Sequence, residues 1–516
     1  MTRDPGPRRS GPREGRPGRQ GRSGRPGRQR PPRQQNRPTP GPDPARRAAL
    51  ETLQAVTERD AYANLELPRL LREYEIGGRD AALATELSYG TLRFRGRYDA
   101  ILTQCVSQRS LASLDSAVLD VLRLGAHQLL ATRIAPHAAV SQTVALARRY
   151  AGHRTTGFVN AVLRRVAEQP LAEWLEAIAA DAGEDATERL ARTASHPPWI
   201  VRALRTALVA HGRPAGELEE LLASHNTPPA VTLVARPGRI DAEALAAQAT
   251  AHGLDAGTEP GRWAPTALRL AGGDPAALPA VRQGRAAVQD EGSQLVALAL
   301  AHAPLEGAGK GAGEGTGEGA QRWLDLCAGP GGKAGLLGAL AKEQGHHLVA
   351  NDVSAHRASL VRRTTRGLDV EVRVGDGREA GESEPGAYDR VLVDAPCTGL
   401  GALRRRPEAR WRRKPDDVPD LTRLQRELLG SALRAVRPGG IVAYATCSPH
   451  AAETLAVVED VAAATGAEFL DAPAALQEVA AASLPHIGEG PTAQLWPHLH
   501  GTDAMFLALL RAPAAS

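Results

Sequence analysis

Two cysteines stand just after predicted strands and could supply a nucleophile and a proton-transfer group. Cys397 closes the segment 391–397 (VLVDAPC), and Cys447 closes the segment 444–447 (YATC). The thiolate is the reactive form of cysteine. One of the two cysteines could therefore act as a nucleophile, and the other could assist it. The chain has four cysteines, so two at equivalent points of two strands favour a joint role over two buried apolar side chains. The residues alone do not indicate which of the two is the nucleophile.

A glycine-rich turn is the second chemical feature. It follows a predicted apolar strand at 322–327 and consists of Cys327, Ala328, Gly329, Pro330, Gly331, Gly332 and Lys333. Glycines let backbone approach a ligand closely, and the N-terminus of the helix that follows favours polar or anionic groups. The turn is not a phosphate-binding P-loop, because Ala334 stands where that motif requires Ser or Thr.

Three aspartates stand at the predicted ends of later strands. Asp352, Asp376 and Asp394 each mark the carboxyl end of a strand, where open α/β sheets bind their ligands. Asp352 suits hydrogen bonds to ribose hydroxyls, and Asp376 could accept from an adenine amino group. Each acid taken alone could also be a helix N-cap. Together with the glycine turn, Asp352 and Asp376 predict a pocket for an adenosine-containing cofactor.

The elements that must position these residues alternate between strand and helix. Strands are predicted at 322–327, 347–351, 370–374, 390–394, 441–446 and 504–510, and helices at 332–342, 355–366, 421–436 and 451–464. This alternation predicts an α/β domain at 291–512 with a doubly wound, Rossmann-like and largely parallel sheet. All of the chemical residues would then meet at one edge of that sheet.

Two more folded domains are predicted ahead of the sheet. The segment 45–168 has apolar residues at helical spacing throughout and predicts an all-α domain. The segment 169–290 mixes strand and helix signals and predicts a small α+β domain. Residues 306–320 (EGAGKGAGEGTGEGA) predict a flexible glycine-rich loop inside the sheet domain.

Positive charge is concentrated at the start of the chain. The 516 residues have a net charge of +5, but residues 1–44 hold 12 Arg and 3 acids, so the remainder is net negative. After Met1 these residues include no aliphatic or aromatic side chain, which predicts a disordered arm that tethers RNA by charge alone. No apolar stretch typical of a secretory signal follows the start, and no apolar run reaches membrane length, so we expect a cytoplasmic protein.

A second basic run lies close to the predicted active edge. The segment 404–414 (RRRPEARWRRK) follows Cys397 by a few residues. Arginines around a tryptophan suit phosphate contacts and base stacking, so we expect this run to bind RNA. Arginine outnumbers lysine 59 to 4 in the whole chain, which leaves a solvated arginine loop as the alternative.

Three motifs in this order resemble a known family. The segments 324–333 (LDLCAGPGGK), 394–399 (DAPCTG) and 444–448 (YATCS) are similar to those of the RNA cytosine-5 methyltransferases of the Nol1/Nop2/Sun type. The segment 45–168 resembles the NusB-like RNA-binding domain found in a branch of that family that modifies small-subunit ribosomal RNA. The resemblance covers about 44–512. Ala334 and Ala504 depart from the residues usual in the family, and neither change touches a reactive atom.

The resemblance implies methyl transfer from S-adenosylmethionine to C5 of a cytosine in 16S ribosomal RNA, naked or in an early assembly intermediate. It implies that Cys447 attacks cytosine C6 and that Cys397 serves the release step. Asp394 would contact the N3 side of the base, and Lys333 would support Asp394 and the Cys447 thiolate. The turn at 327–333, with Asp352, Asp376 and Asp394, would line the cofactor site. No metal is implied, and we expect a monomer.

Other functions explain less of the pattern. The same chemistry on transfer RNA or 23S ribosomal RNA stays open. A dinucleotide-dependent oxidoreductase would use the glycine turn and Asp352, but it would leave the motifs around Cys397 and Cys447 without a purpose. A non-catalytic RNA-binding assembly factor predicts degenerate cysteine motifs, whereas both motifs are intact.

Overall fold

The computed structural model describes residues 43–106, 110–254, 257–305 and 319–514, which lie within one compact unit, Pro42–Ser516. The predicted disordered arm and the predicted glycine-rich loop fall almost wholly outside the described residues. Within those residues, no helix combines the length and the apolar character needed to cross a membrane.

The first part of the described chain is a helical bundle. Its helices are α1 (Pro44–Arg59), α2 (Ala63–Glu73), α3 (Gly78–Arg93), α4 (Arg95–Cys105), α5 (Ser116–Ala131), α6 (Pro136–Tyr150), α7 (Thr156–Val166) and α8 (Leu171–Ala180). Asp43 caps α1 by accepting from the backbone N–H of Arg46 at 3.0 Å, and Pro44 occupies the first turn. The bundle core continues past Glu168, since Trp174 and Ile178 of α8 pack into it.

The middle part combines helices with a small antiparallel sheet. Its elements are α9 (Ala186–Thr193), α10 (Pro198–Ala210), α11 (Leu218–His225), β1 (Val231–Ala235), α12 (Ala242–Ala251), β2 (Glu259–Pro260), β3 (Ala267–Leu270), α13 (Pro279–Arg282) and β4 (Ala286–Val288). The strand order is β2-β3-β1-β4. Helices α9–α11 share a core with Leu400, Leu403 and Trp496 of the last part, so the middle part is packed directly against it.

The last part begins with α14 (Glu291–His302) and holds the large sheet. Its strands are β5 (Arg322–Asp325), β6 (His347–Asp352), β7 (Val370–Val374), β8 (Tyr388–Asp394), β9 (Val436–Thr446), β10 (Glu468–Leu470), β11 (Ala493–Gln494) and β12 (Phe506–Arg511). Its further helices are α15 (Gly332–Glu343), α16 (Ala355–Thr364), α17 (Ala380–Ser383), α18 (Ala409–Arg412), α19 (Asp417–Ala435), α20 (Leu455–Thr465), α21 (Ala472–Val479) and α22 (Pro497–His500).

The large sheet is parallel at its centre and antiparallel at one side. Its order is β10-β12-β9-β8-β5-β6-β7, with β11 paired to β12. Strands β9, β8, β5, β6 and β7 run parallel, and β12 pairs antiparallel with β9. The carboxyl ends of the parallel strands therefore share one edge, which is where an open α/β sheet binds its ligands.

Helices cover both faces of this sheet. Along β9, Ile441 and Ala443 join a core formed with α14 and α15. The alternate residues Val442 and Tyr444 join a second core formed with α19 and α20. Successive strand side chains point to opposite faces, so a strand buried on both faces is apolar at every position. This confirms the predicted doubly wound α/β fold.

Candidate active site

Two neighbouring parallel strands deliver the two cysteines. Asp394 ends β8 and Cys397 follows it by three residues, whereas Cys447 comes directly after Thr446, the last residue of β9. The Sγ atoms of Cys397 and Cys447 lie 3.6 Å apart in hydrogen-bonding contact, and both residues are partly exposed. The backbone of Gly401 supports this arrangement, because its N–H donates to the carbonyl of Cys447 at 2.9 Å. The arrangement can present one thiolate beside one thiol.

The hydrogen bond between the thiols makes them chemically unequal. That bond raises the pKa of Cys397 well above its usual value, and burial and the negative charge of Cys447 act in the same direction. The same bond lowers the pKa of Cys447 despite the opposing effect of burial. These directions make Cys447 the more acidic thiol of the pair and Cys397 the less acidic one.

A lysine–aspartate pair lies beside the thiols. Lys333, in the first turn of α15, donates from Nζ to Oδ2 of Asp394 at 2.8 Å. Burial alone would lower the pKa of Lys333, but the charge of Asp394 and this hydrogen bond raise it, and the charge of Cys447 acts in the same direction. The pair keeps an ammonium group buried near Cys447.

The glycine turn is packed tightly against Asp352. The N–H of Gly329 donates to Oδ2 of Asp352 at 3.0 Å, and the N–H of Ser354 donates to Oδ1 at 2.9 Å. A Cβ atom on Gly329 would overlap Asp352 and Arg357, so only glycine fits here. Arg357 covers this point by donating from Nη2 to the carbonyl of Gly329 at 2.6 Å.

The rest of the turn is ordered by its own backbone. The N–H of Ala328 donates to the carbonyl of Asn351 at 2.8 Å, and the N–H of Gly331 donates to the carbonyl of Ala328 at 2.7 Å. Thr364 donates to the carbonyl of Pro330, and Gly332 begins α15. Burial raises the pKa of Cys327, so this cysteine remains a thiol.

The next two strand ends offer an apolar surface suited to an adenine ring. Val353 and Val374 are exposed large apolar side chains, and Asp352 and Val374 are paired in the register of β6 and β7. Asp376 caps the short turn that follows, accepting from the N–H of Arg378 at 3.0 Å, and it pairs with the Arg378 guanidinium. The residues at this edge therefore fit an adenosine-containing group, with Asp376 paired to Arg378 beside it.

Asp325 and Glu453 are two buried acids that the sequence reasoning did not single out. Burial raises the pKa of Asp325 to about 8, the Asp394 charge adds to this, and Lys333 opposes it. Asp325 belongs to β5, the strand that leads to the glycine turn. An acid among the apolar residues of this strand was the feature of the sequence that could have indicated a functional residue. Glu453 carried no sequence signal of its own, but the hydroxyl residues directly after both cysteines, which it contacts, would have pointed to a shared partner.

Much of the basic run 404–414 is turned into the protein and is not the exposed RNA surface predicted for it. Arg410 is fully buried and donates only to neutral oxygens: those of Arg93, Ser195, Asn226 and His225, at 2.8–3.1 Å. The prediction is wrong for this residue because its guanidinium satisfies carbonyl groups where the three parts of the chain meet.

Other residues of the run make similar internal contacts. Arg404 is buried and pairs with Asp290 at 3.1 Å, and Arg412 pairs with Asp60 at 2.7 Å. Trp411 packs so closely on Gly96 that a Cβ atom there would overlap its ring. Arg406 and Lys414 are exposed and remain available for an RNA contact.

Comparisons with known proteins divide the chain in the same way. Residues 316–511 match the family model described as 16S rRNA methyltransferase RsmB/F, and residues 43–168 match the NusB family. A putative methyltransferase of Mycobacterium tuberculosis is 52% identical over 469 residues, which cover 91% of this chain and 96% of that protein. The probable ribosomal RNA small subunit methyltransferase B of Bacillus subtilis is 31% identical, covering 90% and 97%. The crystal structure of PH0851 has a TM-score of 0.72 at 23% identity, covering 90% of this chain and 98% of that one.

Proposed function

Because the chain belongs to the 16S rRNA methyltransferase RsmB/F family, we propose that it methylates C5 of one cytosine in 16S ribosomal RNA through a covalent bond between Cys447 and cytosine C6. The chain is an S-adenosylmethionine-dependent ribosomal RNA methyltransferase. The proposal adds the target RNA, the target atom and the covalent step to that statement.

The observation that carries the proposal is the 3.6 Å contact between the Cys397 and Cys447 sulfur atoms. Methyl transfer to a nucleophilic oxygen or nitrogen needs no thiol. C5 of cytosine is a poor nucleophile, and addition of a thiolate to C6 gives the ring the electron density that C5 needs to attack a methyl group. After methyl transfer, the C5 proton must be removed and the bond between Cys447 and C6 must break. This release step gives the second cysteine a role.

Each residue of the pair and its neighbours has a proposed role in these steps. Cys447 adds to C6, and after methyl transfer a base takes the C5 proton. The electron pair of that C–H bond then restores the C5–C6 double bond as the S–C6 bond breaks and the Cys447 thiolate leaves. Cys397 serves that release step. Asp394 delivers a proton to the N3 side of the base, where negative charge grows during addition, and Lys333 holds Asp394 and stabilises the Cys447 thiolate.

The cofactor supplies the methyl group from its positively charged sulfur. We propose that the turn 327–333 lines the cofactor site. Asp352 would bind the ribose of the cofactor once Arg357 moves aside, and Asp376 would lie beside the adenine. The exposed Val353 and Val374 side chains support an adenine face at this edge. The Asp394 carboxylate borders both the cofactor and the base.

The proposed partner is 16S ribosomal RNA, naked or in an early assembly intermediate, with the helical part at 43–168 contributing to its binding. The relatives named for ribosomal RNA small subunit methylation support this choice over transfer RNA or 23S ribosomal RNA. Since the substrate is ribosomal RNA, we propose that the enzyme acts in the cytoplasm, as a monomer.

Trapping the covalent intermediate tests this function. With a 16S fragment, Cys447→Ala should lose methyl transfer completely and form no protein–RNA adduct. Cys397→Ala should form an adduct that accumulates and survives a denaturing gel, because its release step is blocked. Cys105→Ala is the matched control, since that thiol is buried in the helical bundle, and it should behave as wild type. Methylation by Cys447→Ala at the wild-type rate would refute the covalent role.

A further inference from the structure

A single buried carboxylate contacts the residues that follow both cysteines. Glu453 is fully buried in the short helical turn Ala451–Glu453. Its Oε1 accepts from the N–H of Thr398 at 2.7 Å, and its Oε2 accepts from the hydroxyl of Ser448 at 2.7 Å and from that of Thr398. Thr398 and Ser448 are the residues directly after Cys397 and Cys447. The two cysteine loops thus meet at one side chain.

Two further hydrogen bonds fix Glu453 itself. Gln425 of α19 donates from Nε2 both to Oε1 of Glu453 at 3.2 Å and to the carbonyl of Pro396 at 2.8 Å. The hydroxyl of Tyr444 in β9 donates to the backbone carbonyl of Glu453 at 2.7 Å. The carboxylate therefore receives four donors, which hold both of its oxygen atoms in place.

We propose that Glu453 is a positioning residue that fixes the distance between the Cys397 and Cys447 sulfur atoms and keeps their chemical roles distinct. This inference rests on the proposed function for the roles themselves. It adds a residue that touches neither the cofactor nor the base and acts only through the two loops.

The geometry of the loops supports a role in spacing. The hydroxyl oxygens of Thr398 and Ser448 lie 3.0 Å apart, and the sulfur atoms of the preceding residues lie 3.6 Å apart. Since both hydroxyls contact the same carboxylate oxygen, moving either loop breaks a buried hydrogen bond. An error of about 1 Å in the placement of reacting groups can slow catalysis about 100-fold.

The charge of Glu453 supports a role in separating the thiols. After the hydrogen bond with Cys447 and burial, the Glu453 charge is a further cause that raises the pKa of Cys397. Asp394 and Asp503 oppose ionisation of Cys447, and Arg406 favours it. The charge of Glu453 therefore acts in the direction that makes Cys397 the less acidic of the two thiols.

Alkylation of the free enzyme tests the inference without RNA. Full-length wild type is treated with limiting iodoacetamide, and modification at each cysteine is counted by peptide mass spectrometry. In wild type we expect Cys447 to react about tenfold faster than Cys397, because the thiolate is the reactive form. Glu453→Gln keeps the size but removes the charge, and the ratio should fall to about threefold or less. Ser448→Ala keeps the charge and removes one of the four donors to the carboxylate, so the ratio should fall by a smaller factor.

Glu51→Gln is the matched control. Glu51 is a partly buried carboxylate of the helical bundle that also accepts several side-chain hydrogen bonds, from Arg47, Tyr74 and Tyr150. It should keep the wild-type ratio. A wild-type ratio in both Glu453→Gln and Ser448→Ala would overturn the inference, and so would an equal fall in Glu51→Gln. If Glu453→Gln does not fold, the alkylation ratio of Ser448→Ala decides: a wild-type ratio in that variant would overturn the inference.

Turnover provides the second measurement. Glu453→Gln should lower kcat about 10- to 100-fold with the KM for RNA within about twofold, and a larger fraction of enzyme should be trapped as adduct. A loss of kcat with no rise in adduct, accompanied only by a lower Tm, would assign Glu453 a merely structural role. If wild type itself methylates no RNA, the proposed function fails, whereas the alkylation ratio still decides the role of Glu453.

Discussion

At the scale of single residues, two chemically identical side chains acquire different properties from their surroundings. Cys397 and Cys447 follow neighbouring strands and share one hydrogen bond, yet the pKa of the first is raised and that of the second is lowered. The one that ionises can add to an electron-poor carbon, and the other retains its proton. The assignment of Cys447 as nucleophile, left open by the residues alone and implied by the family resemblance, is thus supported by electrostatics.

The pH dependence of adduct formation follows from this asymmetry. The rate should fall as the pH drops through the pKa of Cys447, because protonation removes the nucleophile. Cys397→Ala removes the hydrogen bond that lowers this pKa, so its rate should begin to fall at a higher pH than that of wild type. Cys397→Ser retains a donor and should lie nearer to wild type. Single-turnover rates of adduct formation between pH 5 and 9 measure this, and identical profiles for Cys397→Ala and wild type would contradict the shared bond.

At the scale of elements, the run 404–414 joins the catalytic loop to the other parts of the chain. It begins seven residues after Cys397, and Arg413 returns to donate to the carbonyl of Cys397 at 3.3 Å. Between these points Arg410 and Arg412 bond to residues of the helical bundle and the middle part. The position of Cys397 therefore depends on contacts with all three parts.

Arg410 should be the residue of this run that matters most for stability. Arg410→Met leaves several buried carbonyl groups without their donor, which should lower the free energy of unfolding by about 2–4 kcal/mol. Arg406→Gln is the matched control, because Arg406 is exposed, and it should change stability by less than about 0.5 kcal/mol. Urea unfolding followed by circular dichroism measures both, and equal midpoints for the two variants would show that the buried contacts of Arg410 contribute nothing.

The same run shows where sequence reasoning succeeds and where it ends. Strands β5, β6, β8 and β9 were predictable because each contains a buried apolar run, and β7 because its valines alternate with charged residues. The chemical residues were predictable because parallel strands share a carboxyl edge. Strands β2, β3, β4, β10 and β11 have two to four residues, too few to show a period, and they were missed. Arg410 was misread because a sequence rich in arginine does not distinguish a buried guanidinium from an exposed one. Glu453 was missed because its partners come together only in the fold.

At the scale of the whole molecule, the described parts form a continuous body around the catalytic edge. The helical part, the middle part and the sheet domain meet at Arg410, and the middle part also packs on the sheet domain through Leu400, Leu403 and Trp496. RNA bound to the helical part would therefore hold a defined position relative to Cys447. A fixed distance between an RNA-binding part and the catalytic cysteine would help the enzyme to select one cytosine in a large RNA.

The central claim is that one cytosine of 16S ribosomal RNA receives a methyl group through Cys447. Bisulfite sequencing of total RNA tests it most directly, in a strain that lacks the gene and in the same strain supplied with wild type or with Cys447→Ala. The account predicts one 16S cytosine that resists conversion with wild type and is converted in the other two strains. An unchanged 16S pattern, or a cytosine that changes in transfer RNA or 23S ribosomal RNA instead, would contradict it.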